Sequence, residues 1–78
     1  MTLLSASFEF HSGSGFYSVR FYDLVGSKDR KSYRIFPAGR AKEQFAGTTS
    51  LAVNHSTAEH LLKAYLLEKR LVTIKENL

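Results

Sequence analysis

Residues 4–22, LSASFEFHSGSGFYSVRFY, carry the pattern of a β-hairpin from which the rest of the fold follows. Its first half alternates apolar and polar residues, and the apolar positions are Leu4, Ala6, Phe8 and Phe10. A period of two is typical of a strand with one buried face. The Ser-Gly-Ser-Gly tetrapeptide at 12–15 then supplies the permissive backbone of a hairpin loop before an apolar run restarts at Phe16. We therefore predict two antiparallel strands, the second running to about Val25.

Two further turn-like clusters, at residues 26–30 and 37–39, frame a third short strand from Lys31 to Phe36. Together the three strands form a predicted meander. Alternation assigns the core face to Tyr17, Val19, Phe21, Tyr33 and Ile35. The opposite face then displays Arg20, Tyr22, Ser32 and Arg34, with Phe16, Ser18 and Phe36.

A helix is predicted over residues 57–70. Ser56 is placed as its N-cap and Glu59 follows three residues later, the spacing of a reciprocal capping box. Glu59 and Lys63 are spaced for an i,i+4 ion pair. The apolar stripe that should pack on the sheet consists of Ala58, Leu61, Leu62, Tyr65 and Leu66. Leu67 falls off this stripe, which hints at a second buried contact or a dimer.

The segment between sheet and helix is predicted as a short helix over residues 40–46, with an irregular basic loop as the alternative. Residues 48–53 and 71–75 are predicted as short strands that join the sheet. The expected fold class is α+β: one small domain over residues 1–78, a mainly antiparallel sheet packed on one C-terminal helix.

The composition fits such a domain, with 44% hydrophobic residues, 13% aromatic residues and no cysteine. The lack of cysteine excludes disulfides and thiolate nucleophiles. No run approaches the roughly 18 apolar residues of a membrane span, and residues 1–6 lack a basic leader. We therefore expect a cytoplasmic protein without a membrane partner. Its small size limits the area that a monomer can bury, which leaves a homodimer open.

The positive charge is concentrated in residues 28–42. This basic window carries +5, residues 1–27 carry −1 and residues 43–78 are neutral, giving the net charge of +4. A local basic surface favours an anionic partner, and nucleic acid, DNA or RNA, is the leading expectation. The predicted nucleic-acid-binding residues are Arg20, Tyr22, Lys28, Arg30, Lys31, Arg34, Arg40 and Lys42, with Phe36 as a further ring that packs on sugar or base. The same residue types also suit a solvated sheet face.

Catalytic, metal and cofactor motifs are absent from the sequence, so we expect neither a metal nor a cofactor. The only histidines are His11, His55 and His60, and the spacing of the last two misses the i,i+4 face of a helical metal pair. The enzyme alternative is a metal-free ribonuclease, with His11 or His55 as base and Arg20 or Arg34 stabilising the phosphorane. We expect binding rather than chemistry.

A small protein-interaction module is the alternative to nucleic-acid binding. Such a module would be, for example, an accessory or inhibitor protein encoded by a mobile element that binds a nucleic-acid-processing partner. The basic window would steer association with an acidic protein, and Leu67 and Phe45 would anchor it.

In architecture, three antiparallel strands followed by a helix resemble the arm-binding domains of phage integrases, which lay their sheet against DNA. The resemblance implies that the sheet face is the binding surface. The chain departs from that compact module between Phe36 and Ser56, where it inserts about nineteen residues. Strand and helix order recurs across unrelated functions, so the resemblance adds an expectation about the face and no binding residue.

Overall fold

The computed structural model describes residues 3–13, 15–37, 39–40 and 42–69. Four antiparallel strands form one open sheet in the order β1-β2-β3-β4, and one helix packs on one face of it. The elements are β1 (Leu4–Ser12), β2 (Gly15–Asp23), β3 (Lys31–Pro37), β4 (Phe45–Thr49) and α1 (His55–Glu68). The predicted small α+β domain is confirmed. None of the described residues belongs to a helix with the length and hydrophobicity that a bilayer crossing requires.

The core lies between α1 and the sheet face that alternation assigned to it. Val19, Phe21 and Ile35, on the two central strands, are fully buried. They pack against buried residues of the predicted helical stripe: Ala58, Leu62, Tyr65 and Leu66. At about 25 cal/mol per Å² of apolar surface, this layer is the main stabilising contribution in a chain without disulfides.

The β1–β2 hairpin forms as predicted, with Ser12 paired to Gly15 beside the loop and Phe8 paired to Val19. The pairing slips between Leu4 and Ala6, and this β-bulge sets Leu4 opposite Tyr22. The expectation that Leu4 shares the face of Ala6, Phe8 and Phe10 is therefore wrong, because the extra residue of a bulge reverses the alternation beyond it. Leu4 is exposed.

Strand β2 ends at Asp23, two residues earlier than predicted. The Ser27 N–H donates to the Leu24 carbonyl at 3.1 Å, and Gly26 has φ of 85°. This geometry is that of a type II turn, in which the third residue needs a positive φ and glycine adopts it without strain. Val25 belongs to the turn and is exposed, so its apolar side chain does not extend the strand.

The predicted short helix over residues 40–46 is wrong, and so are the bounds of the strand at 48–53. Residues 42–44 are irregular, and β4 begins at Phe45. A helix of two turns is marginal by itself. As part of β4, Phe45 instead pairs with Ile35, and its ring packs beside Tyr33 and Tyr65, with centroids 5.9 and 5.4 Å away.

Helix α1 begins two residues earlier than predicted because Asn54, and not Ser56, is its N-cap. The Asn54 Oδ1 accepts a hydrogen bond from the Thr57 N–H at 2.8 Å. The predicted Glu59–Lys63 ion pair forms at 3.3 Å. Arg70 and the predicted strand over residues 71–75 lie outside the described residues.

At Gly47 an aromatic ring lies close to the β4 backbone. Gly47 pairs with Tyr33, and a Cβ at position 47 would lie 3.1 Å from the Tyr33 ring and hydroxyl. The ring therefore lies against the β4 backbone where a side chain would otherwise be. Burial raises the pKa of the Tyr33 phenol, and the negative charge of Glu68 raises it further.

Candidate nucleic-acid interface

The sheet face turned away from α1, called the outer face here, is formed mainly by β2 and β3. Their contribution is Phe16, Ser18, Arg20 and Tyr22 from β2, and Ser32, Arg34 and Phe36 from β3. The register confirms that the four predicted face residues Arg20, Tyr22, Ser32 and Arg34 lie together. The edge strands add Leu4, Ser7, Glu9, His11, Ala46 and Thr48.

Arg20 and Arg34 are directly opposite one another at the centre of the outer face. Directly opposed residues of antiparallel strands have Cβ atoms about 5 Å apart, and like charges there repel each other. Among the described residues neither guanidinium has a carboxylate within ion-pair distance or a hydrogen-bond acceptor. Since each guanidinium carries five N–H donors, the pair concentrates unused donors at one point.

Each of these two arginines lies over an aromatic ring of the neighbouring strand. The Arg20 Cζ is 4.2 Å from the Phe36 ring centroid, and the Arg34 Cζ is 4.8 Å from that of Tyr22. Both contacts are diagonal, so the four residues form a nearly symmetrical group, the arginine–ring quartet. Cation–π contacts of this kind contribute about 0.5–1 kcal/mol when exposed, and they hold the guanidinium groups in place.

The Phe36 ring is only 5% exposed. It is thus covered, and it supports Arg20 instead of offering a free stacking surface. Tyr22 is partly buried beside Arg34. In the quartet the rings position the cations, and Arg20, Arg34 and Tyr22 are partly exposed whereas Phe36 is not.

Small side chains flank the arginine pair on both edge strands. Ser7 is opposite Arg20, and Ala46 is opposite Arg34. Neither side chain is long enough to cover a guanidinium group. Across the sheet, this row therefore consists of a small residue, two arginines and a second small residue. The row leaves access for a ligand to the arginine pair.

A third guanidinium reaches the outer face from the loop before β3. The Arg30 Nη2 donates to the Thr48 Oγ1 at 2.6 Å, and Thr48 pairs with Ser32 on this face. Lys31 is placed differently, because it shares the parity of Tyr33 and Ile35. Its Nζ lies 3.3 Å from an Asp23 carboxylate oxygen, across the strand pair on the helix side. Lys31 is therefore not part of the outer face.

The remaining predicted cations are exposed and lie at opposite ends of β3. Lys28 precedes the strand, whereas Arg40 and Lys42 follow it. The seven residues of β3 span about 20 Å. The basic window, continuous in sequence, is thus distributed over two ends of the sheet, and only Arg30 and Arg34 from it join Arg20 on the outer face.

A carboxylate bounds this cationic region. The Glu9 Oε2 accepts hydrogen bonds from the hydroxyls of Ser18, at 3.0 Å, and Ser7, at 3.3 Å. Glu9 pairs with Ser18, one step along the strand from the Arg20 row. An anionic ligand on the arginine pair is therefore expected to extend away from Glu9, toward Arg30 and Thr48.

The three histidines are spread over the molecule. His11 stacks on Phe16 with ring centroids 3.9 Å apart, His55 packs near Phe8 and Phe10 on the helix side, and His60 is exposed on α1. The sheet thus separates His55 from Arg20 and Arg34. Within the described part of the chain, no three His, Cys, Asp or Glu side chains are grouped to hold a metal ion.

An apolar groove of about 310 Å³ lies between the β1 end and α1, on the side of the molecule away from the outer face. Phe10, Leu62, Leu66 and Leu67 line it, and Leu67 is 43% exposed, as the helical stripe predicted. Phe45, the other predicted anchor, is packed beside Tyr33 and Tyr65 and is not available as one.

Two features of the site were not predicted from the sequence: the diagonal quartet and the groove. A signal for the quartet exists, since Val19-Arg20-Phe21-Tyr22 and Tyr33-Arg34-Ile35-Phe36 share the pattern apolar, Arg, apolar, aromatic. The groove combines positions about fifty residues apart, and no local pattern marks it.

Comparison of the chain with protein-family models, with curated proteins and with solved structures finds no match.

Proposed function

We propose that the outer face binds nucleic acid through its phosphates, with Arg20, Arg34 and Arg30 as the contacting residues. The observation that carries the proposal is the opposed arginine pair at the centre of an accessible sheet face, without a described carboxylate partner. Guanidinium groups bind phosphate oxygens with two parallel hydrogen bonds, which makes them well suited to this ligand.

The rings of the quartet support this role indirectly. With Arg20 above Phe36 and Arg34 above Tyr22, fewer side-chain rotamers are lost when the ligand binds. The outlying cations Lys28, Arg40 and Lys42 add to the long-range attraction that brings a polyanion to the face. Sequence-independent binding with a strong salt dependence is the expected behaviour.

The test compares two double variants of equal charge. Arg20→Gln with Arg34→Gln removes the outer-face pair, whereas Lys63→Gln with Lys69→Gln removes two exposed helix cations. Binding to labelled RNA and DNA is measured by fluorescence anisotropy across a salt series.

The arginine variant should lose at least about tenfold in affinity, because a hydrogen bond to a charged group contributes about 1.5–3 kcal/mol. The lysine variant should stay within about twofold, because its charges lie on the other side of the sheet. Equal losses in both variants would show attraction by net charge alone and would overturn the outer-face assignment.

The apolar groove favours a second candidate function, protein interaction. The simplest such interaction is self-association through Leu67. Sedimentation over a range of protein concentrations measures it. A concentration-dependent dimer that Leu67→Lys abolishes would support this candidate. A monomer at every concentration would remove the self-association form of it.

A further inference from the structure

We infer that Arg20 and Arg34 hold a single phosphate jointly and that the nucleic acid on the outer face is single-stranded. The inference rests on the proposed function and specifies its ligand. Three observations carry it: the direct opposition of the two arginines, the rings beneath them, and the small residues on either side.

The opposition sets the number of phosphates. The two side chains start about 5 Å apart at their Cβ atoms and lean in opposite directions along the strands, Arg20 toward Phe36 and Arg34 toward Tyr22. The space between the two guanidinium groups, over the centre of the pair, can take one phosphate. One phosphate between them accepts donors from both and neutralises part of their mutual repulsion. Anion binding thus relieves the repulsion between Arg20 and Arg34 that destabilises the unliganded face.

The shape of the face selects single strands. Four strands at about 4.8 Å spacing make a sheet about 14 Å wide, and the arginine pair lies on its two central strands. A major groove about 12 Å wide admits a helix or a two-stranded ribbon. A sheet of this width does not enter the groove flat, so a duplex would present only its phosphate backbone to Arg20 and Arg34. A single strand can lie along the face and also bring unstacked bases to the guanidinium groups.

The covered rings define how bases are held. Phe36 is buried under Arg20, so a base cannot stack on this ring directly. At the centre of the face the outward side of each guanidinium group is a flat surface, and unstacked bases of single strands pack on such planes. Arginine is required here, since lysine has neither the plane nor the paired donors. The exposed Phe16 ring, stacked on His11 two rows away, is a further flat surface on the same face.

The test is a double-mutant cycle read by anisotropy, with Arg20→Gln, Arg34→Gln and both together. The probes are labelled single strands of about 12 nucleotides, as RNA and as DNA, and the duplex of the same sequence. Salt is varied from about 50 to 300 mM. Lys69→Gln is the control of equal charge change, because it removes one exposed cation after the end of α1 that has no role in the proposed binding.

Single strands should bind at least about tenfold more tightly than the duplex. Either single variant should lose nearly as much affinity as the double variant, because either change leaves the shared phosphate incompletely held. The double variant should lower the salt slope by about 0.7, the value for one phosphate contact on a single strand. Lys69→Gln should change the affinity by less than about twofold.

A fall in slope of about 1.4, with additive losses, would mean two separate phosphates and would overturn the shared-phosphate inference. Equal or tighter binding of the duplex would overturn the single-strand inference and leave nucleic-acid binding intact. An absence of binding to all three probes would instead refute the proposed function itself. Arg20→Lys with Arg34→Lys gives a second measurement at constant charge, for which a loss of about tenfold is expected.

Discussion

The opposed arginines are the residue-level feature that stability alone does not explain. Arg20 and Arg34 repel one another across β2 and β3, and the cation–π contacts with Phe36 and Tyr22 offset part of this cost. A solvated sheet face would be better served by opposite charges at these two positions. The arrangement is therefore consistent with a ligand that needs both cations.

This repulsion should be measurable in the free protein. In urea unfolding at low salt, the Arg20→Gln, Arg34→Gln double variant should be less stable than the sum of the single variants predicts. The free energy of unfolding should fall below the additive value by up to about 1 kcal/mol, because each single variant already relieves the same repulsion. This shortfall should disappear near 1 M salt. Additive effects at low salt would mean that the two guanidinium groups do not interact.

At the scale of elements, the start of α1 depends on one side chain. The Asn54 carboxamide caps the helix through the Thr57 N–H, whereas Ser56 lies within the first turn. Asn54→Ala should therefore lower the free energy of unfolding by about 1 kcal/mol. Ser56→Ala should change it by less than about 0.5 kcal/mol. Thermal unfolding followed by circular dichroism compares the two, and a larger cost at Ser56 would restore the predicted capping box.

Strand β4 depends on the close approach of Tyr33 to Gly47. Gly47→Val should destabilise the protein by about 1–3 kcal/mol, because the new side chain must displace a ring packed near Phe21 and Phe45. Ala46→Val introduces the same side chain one residue earlier, on the exposed outer face, and should be neutral or slightly stabilising. Equal costs at both positions, measured by urea unfolding, would argue against the ring packing.

The elements that the sequence predicted correctly are those with a regular period. Alternation identified the core positions of β2 and β3, and with them the outer face that carries Arg20 and Arg34. Failures occurred where a single residue decides between local structures. Examples are the bulge near Leu4, the choice between Asn54 and Ser56 as cap, and the packing of Phe45 with Tyr65, which lies twenty residues away in sequence.

At the scale of the molecule, the sheet separates two surfaces of different chemistry. The outer face presents the arginine–ring quartet, and the helix side presents an apolar groove with an ion pair, Glu59–Lys63, among its lining residues. The sequence showed a basic window without showing this division, since strand β3 carries the window across the sheet. The fold, more than the net charge, determines which cations lie on the same face.

An NMR titration of the labelled protein with a single-stranded RNA shows whether nucleic acid binds on the outer face. The side-chain Nε–Hε signals of Arg20 and Arg34 should shift strongly, and that of Arg40 only weakly. Amide shifts should be largest along the central strands, β2 and β3, and small in α1. Shifts concentrated at Leu62, Leu66 and Leu67, with unchanged Arg20 and Arg34 signals, would contradict the account and locate binding in the groove.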